Sequence, residues 1–443
     1  MFAVWWGGTR GWFGDRLLQS GAALLLALVV TYIGFARSRV SLPWQIEVIA
    51  AVLVLVPVLA WLGLASPTLG FSAGALQLRS DLAMAGVDRS GTSMAAELAL
   101  WSVFPALAML IAASLVGPRG RLLLLGLCIV LGMAEGVLAI SQLSTRGFGW
   151  VRFMWPGEVG VYLGTFANRN HLASLLLSML PLCVAQATVP TMYEAPGTLL
   201  VRRVLWASAG LILFTGIVGS QSRSGLGLAL LAIGGTLAVM LRAKHRVRAM
   251  LAATAAAAMW LAFGGYRLAE LTISRMFDPA RSDARLTYLG NALGMSSEFG
   301  VGGIGFGNFE RLYGAHMGDA GLARMSVNHV HNDWMELILE TGWIGVIALG
   351  VVTFVFVRMG VDLWRAWRRH RDVTISLVPG AAWLGAAAIA LHSLVDFPLR
   401  TTAISCVLGL LLATVFATPA QPSGRRALSS GRSTRVPPPV EPA

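Results

Sequence analysis

The sequence predicts an all-α fold, a polytopic transmembrane helix bundle of about eleven or twelve spans with one large outer loop containing short helices. Composition is the first reason: of 443 residues, 56% are hydrophobic and only 12% are charged, about half the charged share of a soluble domain. The second is a succession of apolar runs of roughly 20 residues, the length that crosses about 30 Å of hydrocarbon as a helix. With no water at that depth to satisfy the backbone, such runs must be helical. The third is the recurrence of basic clusters in alternate loops. Together these exclude a water-soluble enzyme, a disordered chain and a nucleic-acid-binding domain. The net charge of +13 then fits basic residues held at a cytoplasmic membrane face, with membrane lipid rather than nucleic acid as the partner.

In chain order the predicted spans are 17–35, 44–64, 97–116, 120–143, 170–190, 204–221, 224–241, 248–264, 333–357, 376–395 and 401–418, and 66–90 would add a twelfth element as a re-entrant or interfacial helix. Before the first, Trp5, Trp6, Arg10, Trp12 and Arg16 suit an interfacial segment rather than a cleavable leader. Arg37 and Arg39, Arg119 and Arg121, Arg202 and Arg203, the group Arg242 to Arg248, and the group Arg365 to Arg371 then all fall on one face, taken as cytoplasmic. Three longer segments remain outside: 66–96, 144–169 and, largest, 265–332. The chain divides into N-terminal helices (1–160), a core (161–417) that includes the 265–332 loop, and a basic tail (418–443) expected to be disordered and cytoplasmic. Cys128, Cys183 and Cys406 each lie in an apolar run, as small packing residues would.

Ionisable groups beside spans are costly and therefore candidates for function. They gather in four clusters at the outer ends of spans. Asn168, Arg169, Asn170 and His171 open the span at 170, where they read either as a helix cap with a snorkelling arginine or as an anion-binding helix start. Ser220 to Gly225 form a short hairpin whose Arg223 either anchors to lipid phosphate or lines a cavity among small polar neighbours. Arg281, Asp283, Arg285 and Tyr288 precede a helix expected near 283–297 and a glycine-rich run from Gly300 to Asn308. That run lacks the residues of a phosphate loop or dinucleotide fingerprint and reads as a tight turn. Finally, Asn328 to Glu336, with His329, His331, Asn332 and Asp333, leads into the span at 333, with Glu340 one turn further. The histidine spacing is poor for a metal site, so none is expected. A histidine at the mouth of a bundle near arginines suits general-base work.

These clusters, in this order, resemble the O-antigen ligase/polymerase superfamily of bacterial envelope glycosyltransferases. The resemblance is carried by Gly164–Ala173, Ser222–Gly225, the stretch from Arg285 to Gly345 with His331-Asn332 and Glu340-Thr341-Gly342-Trp343-Ile344-Gly345, and His392-Ser393-Leu394-Val395-Asp396-Phe397. It spans about 160–410, the first 140 residues matching only in hydropathy. It implies a GT-C-like inner-membrane enzyme that takes a glycan from a polyprenyl-diphosphate carrier at the periplasmic face. The acceptor is a hydroxyl of a saccharide or lipid-linked acceptor. The family's two key arginines map onto Arg223 and Arg285 and its essential histidine onto His331, with Asn168, Arg169, Asn170, His171 and Asn332 as substrate-binding residues. The family's loop arginine is often followed four residues later by Trp; here Leu289 holds that place, with Tyr288 beside it. Planar guanidinium forks suit a diphosphate leaving group and can replace a divalent cation, so the resemblance implies an inverting reaction without metal or cofactor. Polymerisation of repeat units and ligation to lipid or protein both fit. A lipid-linked oligosaccharide flippase would instead place cationic groups at many depths of the bundle, and a protein O-oligosaccharyltransferase would differ only in its acceptor.

Overall fold

The computed structural model describes residues 42–62, 64, 103, 105–144, 163–166, 168–189, 196–240, 243–266, 269–270, 273–274, 284–309, 312–313, 327, 329–369 and 377–416. The expected first span, the 66–90 segment, most of 144–169, the tail from 418, and Arg281, Asp283 and Asn328 lie outside these residues. What is described is all-helical: α1 (Trp44–Trp61), α2 (Pro105–Leu115), α3 (Pro118–Ser144), α4 (Arg169–Thr188), α5 (Pro196–Gly219), α6 (Arg223–Met240), α7 (Ala243–Trp260), α8 (Ala284–Phe299), α9 (Asp333–Thr341), α10 (Trp343–Arg369), α11 (Leu377–His392) and α12 (Thr402–Val415). Of these, α3, α4, α5, α6 and α10 are long and apolar enough to cross a membrane, and α1, α2, α11, α12 and the Met250–Trp260 stretch of α7 are shorter apolar helices.

The bundle is organised around α4, whose apolar window is 78% buried against 28–33% for the other four long spans. It packs against α5, α6 and α11, with α3 and α12 adjoining. Close approach is possible because small residues face it: a Cβ on Gly225 would come 2.7 Å from the Ala173 methyl, and one on Gly216 would come 2.7 Å from a Leu176 methyl. The outward sides of α5, α6, α7 and α10 expose Leu205, Leu231, Leu251 and Phe354, as a lipid-facing surface does.

Several predicted boundaries move; the helix expected from 248 begins at Ala243, within the expected Arg242–Arg248 loop. The loop expected to carry Arg202 and Arg203 is helical, because α5 begins at Pro196. Arg202 satisfies the end of α4, donating to the Gln186 carbonyl at 2.7 Å and the Val189 carbonyl at 3.0 Å. The span expected over 333–357 is instead two helices, broken at Gly342. There the backbone turns to φ 58°, ψ −134°, a region open almost only to glycine. A Cβ at Gly342 would also overlap the Val301 carbonyl and Gly302. Thus α9 stands outside the span, and α10 alone crosses. We expect Gly342→Ala to destabilise the protein by at least ~1–3 kcal/mol from backbone strain alone; an unchanged melting temperature in detergent would show that the break is tolerant.

The glycine-rich run docks on this break. Ile304 N–H donates to the Leu339 carbonyl and Gly305 N–H to the Glu340 carbonyl, both at 2.9 Å. Ala292 and Met295 of α8, Ile304, Phe309, Tyr313, Val330 and Leu339 form a small core of their own. That core fixes α8, and with it Arg285, over α9.

Candidate functional site

The N-termini of α4, α6 and α9 and the turn after α11 meet at one end of the bundle. Asn168 caps α4, its Oδ1 accepting from Asn170 N–H at 2.8 Å. The loop before it is held by α3: Glu135 accepts from the Thr165 N–H and hydroxyl at 2.9 and 2.7 Å, and Gln142 accepts from the Leu163 and Gly164 amides. Gly164, at φ 59°, lies against the Glu135 carboxylate, where a side chain would collide. Ser222 caps α6, accepting from Gly225 N–H at 3.1 Å, and donates to Asn170 Oδ1 at 2.8 Å. Asn332 caps α9 through Trp334 and Met335 N–H and donates to the Leu394 carbonyl at 2.8 Å.

Asp396, fully buried in the turn after α11, gathers the charged groups. Its Oδ2 accepts from Arg285 Nη2 at 3.0 Å, and Arg285 Nη1 also donates to the Val395 carbonyl. Its Oδ1 accepts from Phe397 N–H at 2.9 Å and lies 3.7 Å from both His171 Nε2 and His331 Nδ1. Burial opposes ionisation of Asp396, but the His171 and His331 rings and the Arg285 guanidinium outweigh it and hold its carboxyl well below the ordinary carboxylate range. His171 also bonds Thr401 through Nδ1 at 2.7 Å.

His331 sits in a left-handed backbone conformation (φ 59°), strain of the kind stored at functional sites. Tyr288 stacks on its ring at 5.8 Å with 21° between planes, and Phe397 meets it edge-on at 4.9 Å. Phe397 likewise touches the rings of His171 and His329, at 4.7 and 4.3 Å.

The sequence-selected residues are brought together to different degrees. Arg285, His331 and His171 converge on Asp396. Asn170 joins α4 to Ser222, while the side chains of Asn168 and Asn332 are engaged as helix caps. Arg223, half-buried at the first turn of α6, makes no hydrogen bond or ion pair with any described residue. Its neighbour Ser224 bonds His392 Nε2 at 2.9 Å, and the other nitrogen of that buried ring bonds Ser174 of α4 at 2.6 Å. Arg169 opens α4 half-buried and makes no hydrogen bond with a described residue.

Beneath the site lies a cluster whose acids belong to the Asn328–Glu340 stretch singled out in the sequence, but whose arginine sequence reasoning missed. Arg400, in the 3-10 turn Pro398–Arg400, places Nη2 3.1 Å from both Glu336 and Glu340, with Nε 4.0 Å from Asp333. Asp333 accepts from Leu399 N–H at 3.0 Å, and its own N–H donates to the Ser393 carbonyl. Burial pushes Asp333 up to about 8 despite Arg400, and burial also raises Glu340; Arg400 and His329 bring Glu336 below its ordinary value against the effect of burial. The sequence places Asp396 in the His392–Phe397 motif without indicating its role, and Glu135 within an apolar span. The available signal was an ionisable residue inside or between closely spaced spans. Among the described residues no group of three or more His, Cys, Asp or Glu is placed to hold a metal ion.

An all-helical bundle with lipid-facing sides and a polar site at the ends of its helices defines a multi-pass membrane protein. Residues 207–350 match the family model described as O-antigen ligase; that stretch of the chain is similar to an O-antigen ligase domain, which supports the O-antigen ligase/polymerase superfamily. The matched stretch holds Arg223, Arg285, His331 and Asn332; the α4 start and the Asp396–Arg400 turn lie beyond it. No curated protein matches the chain.

Proposed function

We propose that the protein is an inner-membrane glycosyltransferase that moves a glycan from a polyprenyl-diphosphate carrier to an acceptor sugar hydroxyl at the periplasmic face, either polymerising repeat units or ligating a finished chain. The observation that carries this reading is the meeting of Arg285, His331 and His171 at one buried carboxylate, next to the α6 start where Arg223 has no counter-ion among the described residues. Arg223 and Arg285 face the charge that grows on the departing diphosphate. Arg285, oriented by Asp396, is pre-set for this before substrate arrives. The acceptor oxygen attacks the anomeric carbon, the carbon–oxygen bond to the diphosphate breaks with its electron pair leaving on phosphate, and an imidazole, His331, accepts the hydroxyl proton. A single displacement inverts the anomeric centre. Asn170, His171 and Arg169 at the α4 start, with Asn168 and Asn332 holding the helix ends, form the surrounding substrate surface, and the core from 161 to 417 carries the activity.

The test is the product formed from a purified lipid-linked repeat unit by the protein in lipid nanodiscs. A ladder of lengths marks polymerisation, and one shifted band on a lipid or protein acceptor marks ligation. EDTA should change the rate little, since guanidinium groups supply the positive charge. Failure to transfer to saccharide, lipid and protein acceptors alike would overturn the proposal.

A further inference from the structure

His329 has the geometry of an oriented base. Its Nδ1 lies 2.8 Å from Glu336 Oε1, and the two side chains are 22% and 2% exposed. The carboxylate is itself fixed: Oε2 accepts from Val330 N–H at 2.9 Å, and Oε1 also faces Arg400 Nη2 at 3.1 Å. An ionised carboxylate only accepts, so Nδ1 must carry the hydrogen of this bond. In the neutral ring Nε2 therefore keeps its lone pair, and Nε2 makes no hydrogen bond with a described residue. His392 differs: both its nitrogens are used by serines, and it is wholly buried. His331 differs too, since its Nδ1 is buried without a hydrogen bond, 3.7 Å from Asp396.

The ring is also in the right place. Phe397 packs against His329 at 4.3 Å and against His331 at 4.9 Å, so both imidazoles flank one aromatic ring. Among the described residues, the charged and titratable groups around His329 are Glu336 from α9, Arg400 behind that carboxylate, and His331, His171 and Asp396 around Phe397.

We propose that His329, held by Glu336, is a second proton-accepting group of this site. The inference rests on the glycan-transfer reading above. As the acceptor oxygen bonds to the anomeric carbon and the diphosphate departs, His331 takes the hydroxyl proton and passes it on to Nε2 of His329, where it ends. Glu336 holds the imidazolium that results. The proton then leaves to water once product has gone, which returns both rings to the neutral state for the next turnover.

His329→Asn separates this role from a structural one. An Asn side-chain amide can still donate to Glu336 from near the Nδ1 position, but it has no basic nitrogen. We expect normal insertion and melting, a kcat about 10²-fold or more below wild type, and little change in KM for a lipid-linked repeat unit. Wild-type kcat in His329→Asn would overturn the inference. The wild-type protein provides an independent check: both imidazoles must be neutral at the start of turnover, so log kcat/KM should fall at acid pH with a limiting slope approaching two. A limiting slope of one would overturn the inference even if the variant failed to fold. Should wild type transfer no glycan to any acceptor, the underlying reading fails; a transferring wild type beside an equally active His329→Asn removes only the second base.

Discussion

Replacing Arg400 with methionine should be among the most damaging single changes in the described chain. The guanidinium stands against Glu336 and Glu340 at 3.1 Å and Asp333 at 4.0 Å, and these carboxylates are 1–5% exposed. Methionine keeps much of the stem but leaves three buried acids facing one another. Removing one partner of a buried ion pair costs about 3–5 kcal/mol, because the remaining charge has lost both water and its counter-ion. The acids can relieve part of this by taking up protons, and burial already pushes Asp333 up to about 8. Arg400→Met should therefore melt far below wild type at neutral pH and recover partly on acidification, as the carboxylates neutralise. Adding Glu340→Gln should recover part of the loss by coupling between adjacent sites. A melting curve superimposable on wild type would mean the cluster holds nothing together. The same cluster anchors the turn that carries Asp396, through Leu399 N–H on Asp333 and Asp333 N–H on Ser393, so transfer should fall with stability.

Arg223→Ala should show the opposite pattern, with transfer lost and stability kept. Arg223 makes no hydrogen bond or ion pair with a described residue, and the α6 cap is the neighbouring Ser222. Its removal should leave insertion and melting unchanged. Losing one donor to developing charge typically costs 10²–10³-fold in kcat, and a lipid diphosphate gives this arginine more charge to meet than a single oxyanion. Arg223→Lys should restore only part of the rate, since an ammonium offers a point charge in place of a planar fork. Normal transfer by Arg223→Ala would remove it from the mechanism. Arg285→Ala would be a less clean test, because it also strips the counter-ion from buried Asp396.

Local pattern sufficed for helices whose identity depends on their own residues. The spans matching α3, α4 and α6 fell within two residues of their ends, because an apolar run in lipid has one backbone solution. Helix α8 was legible near 283–297 and lies at Ala284–Phe299. The span over 333–357 was misread because apolar periodicity runs through Gly342, and the break is set by the Gly300–Gly307 backbone docking there. His331 and His171 are visible in the sequence as costly ions at span ends, and Arg285 as a loop arginine through the family resemblance. Their convergence on Asp396 is not visible, since these partners lie up to 225 positions apart in the chain: 396 − 171 = 225.

The amino-acid sequence by itself determined a helical membrane protein, the ends of its helices at which polar chemistry collects, and the residue types able to meet a diphosphate and a proton. Tertiary structure alone decided which charges are neutralised and which stay available. Asp396 takes Arg285, Arg400 takes three acids, Glu336 fixes one nitrogen of His329, and Arg223 is left without a partner among the described residues. The reason is physical: a side chain's cost in lipid can be read from its type, but its charge balance depends on groups that only folding brings within a few ångströms.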